Sequence, residues 1–366
     1  MTSVPQSYVP CLRWKQGEYQ AVLRSTQDIL DFIVPLIEVA ELGYDFEKRA
    51  ACRSIDDHLA PLAKRIHDKL GIRPCFVDVT HIEPGERMEG GGHPATYVFS
   101  QLRDAAVPAI PTLDLRQDAA LIEALKLAVQ KGGHGACLRV RIEEVADAQC
   151  ARRTRALLAR VGCSPRECDL VVDLGAPSFT PVEGFTSLLE KLITRLPDLD
   201  NWRSFTVIGT SFPVTMAEVP RGISTVVRHE WIAYKRLIQK LKAKELRLPR
   251  FGDYGIAHPA LVLKDMRFVK PNATVRYTVD DGWMVAKGQN VRDHSDDQYR
   301  ELCRMVVNSG SFEGSSCSKG DKYIEDCAAG VASTGRLTTW RWVGTNHHLA
   351  KVVKDISSLG ESSSSA

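Results

Sequence analysis

With 366 residues, 44% of them hydrophobic and 25% charged, the chain has the material for a sizeable core and the composition of an ordinary globular protein. A formal net charge of +3 gives no global footprint for nucleic acid, which is therefore not expected as the main partner. The ten cysteines are scattered, and the closest pair, Cys163 and Cys168, has no companion pair at zinc-site spacing; reduced thiols in a cytoplasmic protein are expected.

The opening MTSVPQSYVP lacks a basic segment followed by an apolar run, and no stretch nears the ~18 apolar residues of a membrane span, so neither leader nor membrane anchor is expected. From Tyr8 onward, short β-type runs alternate with helical periods. YVPCLRW precedes GEYQAVLRS, and FIVPLIEVA precedes FEKRAACRSIDDHLAPLAKRIHDKL, which reads as one long helix. RPCFVDVTH precedes HPATYVFSQLRDA, and AIPTLDLR precedes DAALIEALKLAVQKG, where Leu121, Leu125 and Ala128 recur at helical spacing. GACLRVRI precedes AQCARRTRALLARVG, and DLVVDLG precedes TPVEGFTSLLEKLITRL. SFTVIGTSFP precedes a region that reads as helical through EWIAYKRLIQKLKAK, and LRLPRFGDYG supplies the eighth strand.

This order predicts an α/β fold, a (β/α)8 TIM-like barrel over residues 1–259. An open doubly wound sheet is the lesser alternative, because the glycine-rich turn after its first strand is missing. Residues 260–358 are expected to form a C-terminal β-hairpin/helix appendage packed on the barrel. TVRYTV and WMVAKGQ read as the hairpin, turning at Asp280, Asp281 and Gly282. A helix near 298–308 and a Gly/Ser-rich stretch follow. In TTWRWVGTNHHLAKVVKDI, Trp340 and Trp342 read as sharing one face of an extended segment. His347 and His348 read as the first turn of a helix capped by Thr345 or Asn346. The low-complexity end, 359–366, is expected to be disordered.

Barrel proteins carry function at the C-terminal strand ends. Those positions here hold Lys15, Glu38, Asp78, His81, Asp114, Arg116, Arg139, Arg141, Glu143, Asp173, Ser211, Arg250 and Asp253. In GACLRVRIE, Arg139, Arg141 and Glu143 alternate with Leu138, Val140 and Ile142, which puts the ions on one strand face, inside the barrel. Asp114 and Asp173, on the flanking strands, would pair with these arginines, as a structural network or as an empty site. Asp78 and His81 of VDVTH are candidates for acid and base, with Asp114 and Asp173 as further catalytic candidates. Lys15, Glu38, Arg116, Arg139, Arg141, Glu143, Arg250 and Asp253 are candidates for holding a ligand. The long loop EPGERMEGGGHP is expected over the site.

No GxSxG, P-loop, HExxH or first-strand HxH is present, so the sequence names no reaction. The first reading is a binding or effector protein that holds an anionic small molecule, a nucleotide or a protein segment at the barrel mouth, with arginines supplying the charge. The alternative is a metal-assisted phosphodiester hydrolase holding Mg or Mn by Glu38, Asp78, Asp114, Asp173 or Asp253.

The opening YVPCLRWKQGEYQAVL with IVPLIEVA after it, VDVTH, and the late WRWVGTNHHL resemble the "beta protein" family of T-even phages, prophages and bacterial genomes, over most of residues 8–355. The resemblance implies a phage-related or mobile-element protein and a role in phage–host conflict. It supplies no activity and no catalytic residues.

Overall fold

Eight parallel strands close a barrel in chain order: Tyr8–Arg13, Leu36–Glu38, Cys75–Asp78, Ala109–Asp114, Ala136–Arg141, Cys168–Asp173, Ser204–Ile208 and Arg250–Asp253. The eighth strand pairs with the first, Phe251 opposite Tyr8, so no barrel edge is left open. The computed structural model describes residues 5, 7–45, 48, 50–260 and 270–361. The predicted (β/α)8 architecture and all eight predicted strands are present.

Alternation along each strand divides the side chains between two cores. Val9, Leu36, Phe76, Ile110, Cys137, Val171 and Ile208 fill the barrel interior. Leu12, Ile37, Val77, Leu113, Leu138, Leu170 and Phe251 face the helices outside. The interior is tight at Gly252, where a Cβ would lie 2.2 Å from Ile208 Cγ2 and 2.7 Å from the Val9 carbonyl oxygen. Only glycine lets the eighth strand sit there.

Several expected helices differ. The long one is two pieces, Ile55–Leu59 and Leu62–Leu70, interrupted at Pro61, whose ring cannot donate to the helical ladder. Ahead of them Tyr44–Asp45 and Ala50–Ala51 pair as a short two-stranded sheet. The region after the seventh barrel strand is helical only over His229–Ala243. Gly222–Val227, rich in β-branched residues, pairs antiparallel with Gly282–Asn290 and joins the hairpin Asn272–Val279/Gly282–Asn290 in a three-stranded sheet.

Leu337–Glu361 is a single helix. Trp340 and Trp342 are therefore not on an extended segment: Trp340 stacks on Tyr299 at 4.6 Å, and Trp342 lies under Arg24. His347 and His348 sit in mid-helix, fully buried, rather than in a first turn. Trp340 and Val343 pack into an apolar cluster with Tyr277, Tyr299 and Ile324, while Leu349, Val352 and Ile356 join the barrel's outer core. Of the end expected to be disordered, 359–361 belong to this helix, and 362–366 lie outside the described residues. Among the described residues no helix is long and apolar enough to cross a membrane, and the ten cysteines are free.

Candidate functional site

The inward positions at the C-terminal strand ends are ionic, and Arg139 is their centre. Its Nε donates to Asp173 Oδ2 at 2.9 Å, Nη1 to Glu38 Oε1 at 2.9 Å and Asp78 Oδ2 at 2.8 Å, and Nη2 to the Tyr254 hydroxyl oxygen at 2.9 Å. One buried guanidinium thus serves three buried carboxylates drawn from three other strands. Tyr254 donates in turn to Asp173 at 2.7 Å.

The aspartates are also fixed locally. Asp78, Asp114 and Asp173 each accept a backbone N–H from two residues on, Thr80 at 2.9 Å, Arg116 at 2.7 Å and Gly175 at 2.8 Å. These Asx turns steer the chain out of the strand and lock the carboxylate rotamer. Arg13 closes the ring on the first strand, donating to the Pro259 carbonyl at 3.0 Å and approaching Glu38 at 3.4 Å; His81 Nε2 lies 3.3 Å from Glu38.

Burial opposes ionisation of Glu38, but the His81 hydrogen bond and the charges of Arg139, His81 and Arg13 prevail and hold its carboxyl well below the usual range. Asp114 goes the other way. Burial raises its carboxyl, and the Arg116 N–H and Arg141, whose Nη2 is 3.4 Å away, offset this only in part. Burial and the Asp173 charge push the Tyr254 phenol up, so it stays a donor.

Around this ring a cavity of about 540 Å³ opens at the barrel mouth, lined by Glu38, Asp78, His81, Asp114, Arg116, Arg139, Arg141, Glu143 and Asp173. A second cavity of about 250 Å³ adjoins it and shares Thr80, Asp114, Arg116 and Arg141. Its other walls are mostly apolar: Val79, Ile82, Pro84, Pro94, Ala95 and Leu121. The ends of the loop EPGERMEGGGHP form part of that wall, through Glu83, Pro84 and His93; the loop flanks the site instead of covering it.

Arg116 and Arg141 stand where the two cavities meet, with side chains 48% and 45% exposed against 10% for Arg139. Arg116 Nε reaches Glu144 at 3.0 Å and leaves the rest of its fork to the cavity.

Four predicted residues fall elsewhere. Lys15 pairs with Glu41 beside a neighbouring cavity. Arg250 opens the eighth strand instead of ending it, and stands at the opposite pole near Asp169 and Arg247. Asp253 faces outward, accepting from Tyr8 and His348. Ser211 bonds Glu230 at 2.6 Å. Glu143 lines the mouth from the helix Ile142–Ala146, because the strand ends at Arg141. Arg13, Glu144 and Tyr254 belong to the site without having been expected from the sequence. Arg13 and Tyr254 were signalled by alternation, as the next inward positions after Cys11 and Gly252.

Glu38, Asp78 and Asp173 already surround a cation, the Arg139 guanidinium. Among the described residues, Cys317, Asp321 and His347 bring ligand-type atoms within 4.8 Å of one another. There Asp321 accepts from Tyr277 at 2.8 Å, Ser318 at 2.6 Å and His347 at 3.0 Å, so the side chains converge on a carboxylate and not on a shared opening.

A family model described as Beta protein matches residues 8–354. Comparison with curated proteins gives no match. Among solved structures the chain is similar to triosephosphate isomerase from Bartonella henselae, at 11% identity over 68% of this chain and 92% of that one, with a TM-score of 0.34.

Proposed function

The chain belongs to the Beta protein family, and we propose that it acts in phage–host conflict as a binding or effector protein whose barrel mouth holds an anionic, nucleotide-like small molecule. The observation that carries this reading is the pair Arg116 and Arg141. They are half-exposed, only partly engaged by Glu144 and Asp114, and set between a polar and an apolar cavity. Two guanidinium forks there suit one phosphate group. The apolar cavity beside them suits a ring, and the Asp114 carboxylate, which lines both cavities, suits the hydroxyls of a sugar. Arg139 is excluded from this role, since its donors are spent on Glu38, Asp78, Asp173 and Tyr254.

The metal-assisted hydrolase is the weaker reading. Its carboxylates are bridged by Arg139, and the expected acid and base are engaged, Asp78 by Arg139 and Thr80, His81 beside Glu38 and Arg13. The test is calorimetric titration of the full chain with nucleoside monophosphates. Binding that Arg116→Met or Arg141→Met weakens about tenfold or more supports the reading; no binding by the wild type, or wild-type affinity in both variants, rejects it. The biological half is tested by phage plaque counts on cells carrying the wild type or the double variant.

A further inference from the structure

A second cationic site lies outside the mouth, between Thr215–Ala217, the strand Asn272–Val279 and the start of the helix Leu337–Glu361. Here a cavity of about 420 Å³ is lined by Arg276, Arg341 and Lys270 and, among the described residues, by no aspartate or glutamate. Arg276 and Arg341 converge: both Nη1 atoms point at the Ile256 carbonyl oxygen, at 3.4 and 3.1 Å. Arg341 has Glu18 at 3.7 Å, and Lys270 has Asp293 at 2.9 Å. Among the described residues no carboxylate lies within ion-pair distance of Arg276. Its Nε is buried without a hydrogen bond, and its guanidinium lies over the face of Phe212, 5.3 Å away.

Two glycines make the convergence possible. A Cβ on Gly17 would lie 2.1 Å from Arg341 Cγ, and one on Gly344 would lie 2.8 Å from the Arg276 carbonyl oxygen. The fold therefore holds two like charges together at a definite place. Burial, then the Arg341 charge, press the Arg276 guanidinium down to about 9. A guanidinium does not surrender its proton in a protein, so that cost becomes a demand for a counter-anion.

We propose that Arg276 and Arg341 form an oxyanion site for a phosphate group, either free phosphate or the phosphate of a small molecule. The site is independent of the barrel mouth. It is tested by calorimetric and melting titrations of the full chain in phosphate-free buffer, with inorganic phosphate as the probe. The expected results, read in the Arg141→Met background so that the phosphate fork of the mouth does not contribute, are phosphate binding with Arg276 intact and a loss of about tenfold or more when Arg276→Met is added. In that background Arg276→Met should raise the melting temperature without phosphate, and phosphate should raise the melting temperature with Arg276 intact but not in its absence. Repeating the titration with adenosine 5′-monophosphate in the Arg141→Met background separates the sources: tighter binding than phosphate assigns a nucleotide, weaker binding assigns free phosphate. Arg341→Met gives the same comparison if Arg276→Met does not fold. No phosphate binding in the Arg141→Met background, or unchanged affinity when Arg276→Met and when Arg341→Met is added to it, overturns the proposal.

Discussion

Asp173 and Asp253 end barrel strands in nearly the same words, VVDLG and FGDYG, and both accept the backbone N–H two residues on, at 2.8 and 2.9 Å. Asp173 points inward, where Arg139 and Tyr254 hold it beside an open cavity. Asp253 points outward into a closed seam, where it accepts from Tyr8 and from His348 at 2.9 Å, and Arg228 lies fully buried 3.9 Å away. Thr278 bridges the seam's two histidines: its hydroxyl meets His348 Nδ1, and its carbonyl accepts from His347 Nε2, each at 2.8 Å. An ion at a strand end is therefore not by itself a site. Which face it takes, and whether water reaches it, decides between ligand binding and internal pairing.

The comparison breaks most visibly at Arg139. Arg139→Met leaves Asp78 and Asp173 buried without their cation and Glu38 with Arg13 and His81 alone, and should cost about 3–5 kcal/mol, read as a fall in the urea midpoint. Asp253→Ala should cost about 3 kcal/mol, because Tyr8 and His348 lose their acceptor in a dry seam. Asp173→Ala should cost less, about 2 kcal/mol, since Arg139 keeps Glu38 and Asp78. An Asp173→Ala loss larger than that of Asp253→Ala would erase the distinction between the two regions.

Acid should open the two regions in order. Burial, outweighing the Asp253 charge, lowers His348 below the ordinary histidine range. The unfolded chain therefore binds that proton first, and the seam's contribution, full above about pH 6.5, is lost as pH falls further. Glu38 is also depressed, so the mouth's contribution is full above about pH 4.3 and is lost below it. Glu230, raised by burial to about 7, has the opposite sign: its contribution is present below about pH 4.3 and lost as pH rises through 7. Urea midpoints against pH, taken as differences between wild type and His348→Gln, and between wild type and Glu38→Gln, should separate the two acid windows. Coincident windows would mean a single titrating network.

The fold was legible because its strands are apolar runs of period two between helical periods, and the ionic face of GACLRVRIE marked the barrel interior. Arg250 and Asp253 were misplaced for a definite reason. The eighth strand spans four residues, and its inward Gly252 gives no hydropathy signal, so neither the direction nor the facing of its neighbours could be read. Arg13 was passed over for Lys15 because the first strand ends at Arg13, one residue before the end of the run YVPCLRW. The strand Gly222–Val227 was missed because its partner, Gly282–Asn290, is remote in sequence. TTWRW is helical because tertiary burial of Trp340 against Tyr299 overrides the local β preference of its threonines and tryptophans. The Arg276 and Arg341 pair has no sequence signature, since Ile256 brings together residues from a strand and a distant helix.

The smallest stability effects belong to the residues assigned to the ligand. Arg116→Met and Arg141→Met should each move the urea midpoint by under about 1 kcal/mol, because both side chains are nearly half exposed. The most direct test of the account is therefore one paired measurement on these two variants, the urea midpoint and the affinity for a nucleoside monophosphate. The account predicts near-wild-type midpoints with affinity down about tenfold or more. Unaltered affinity in both variants, or no affinity in the wild type, would contradict it.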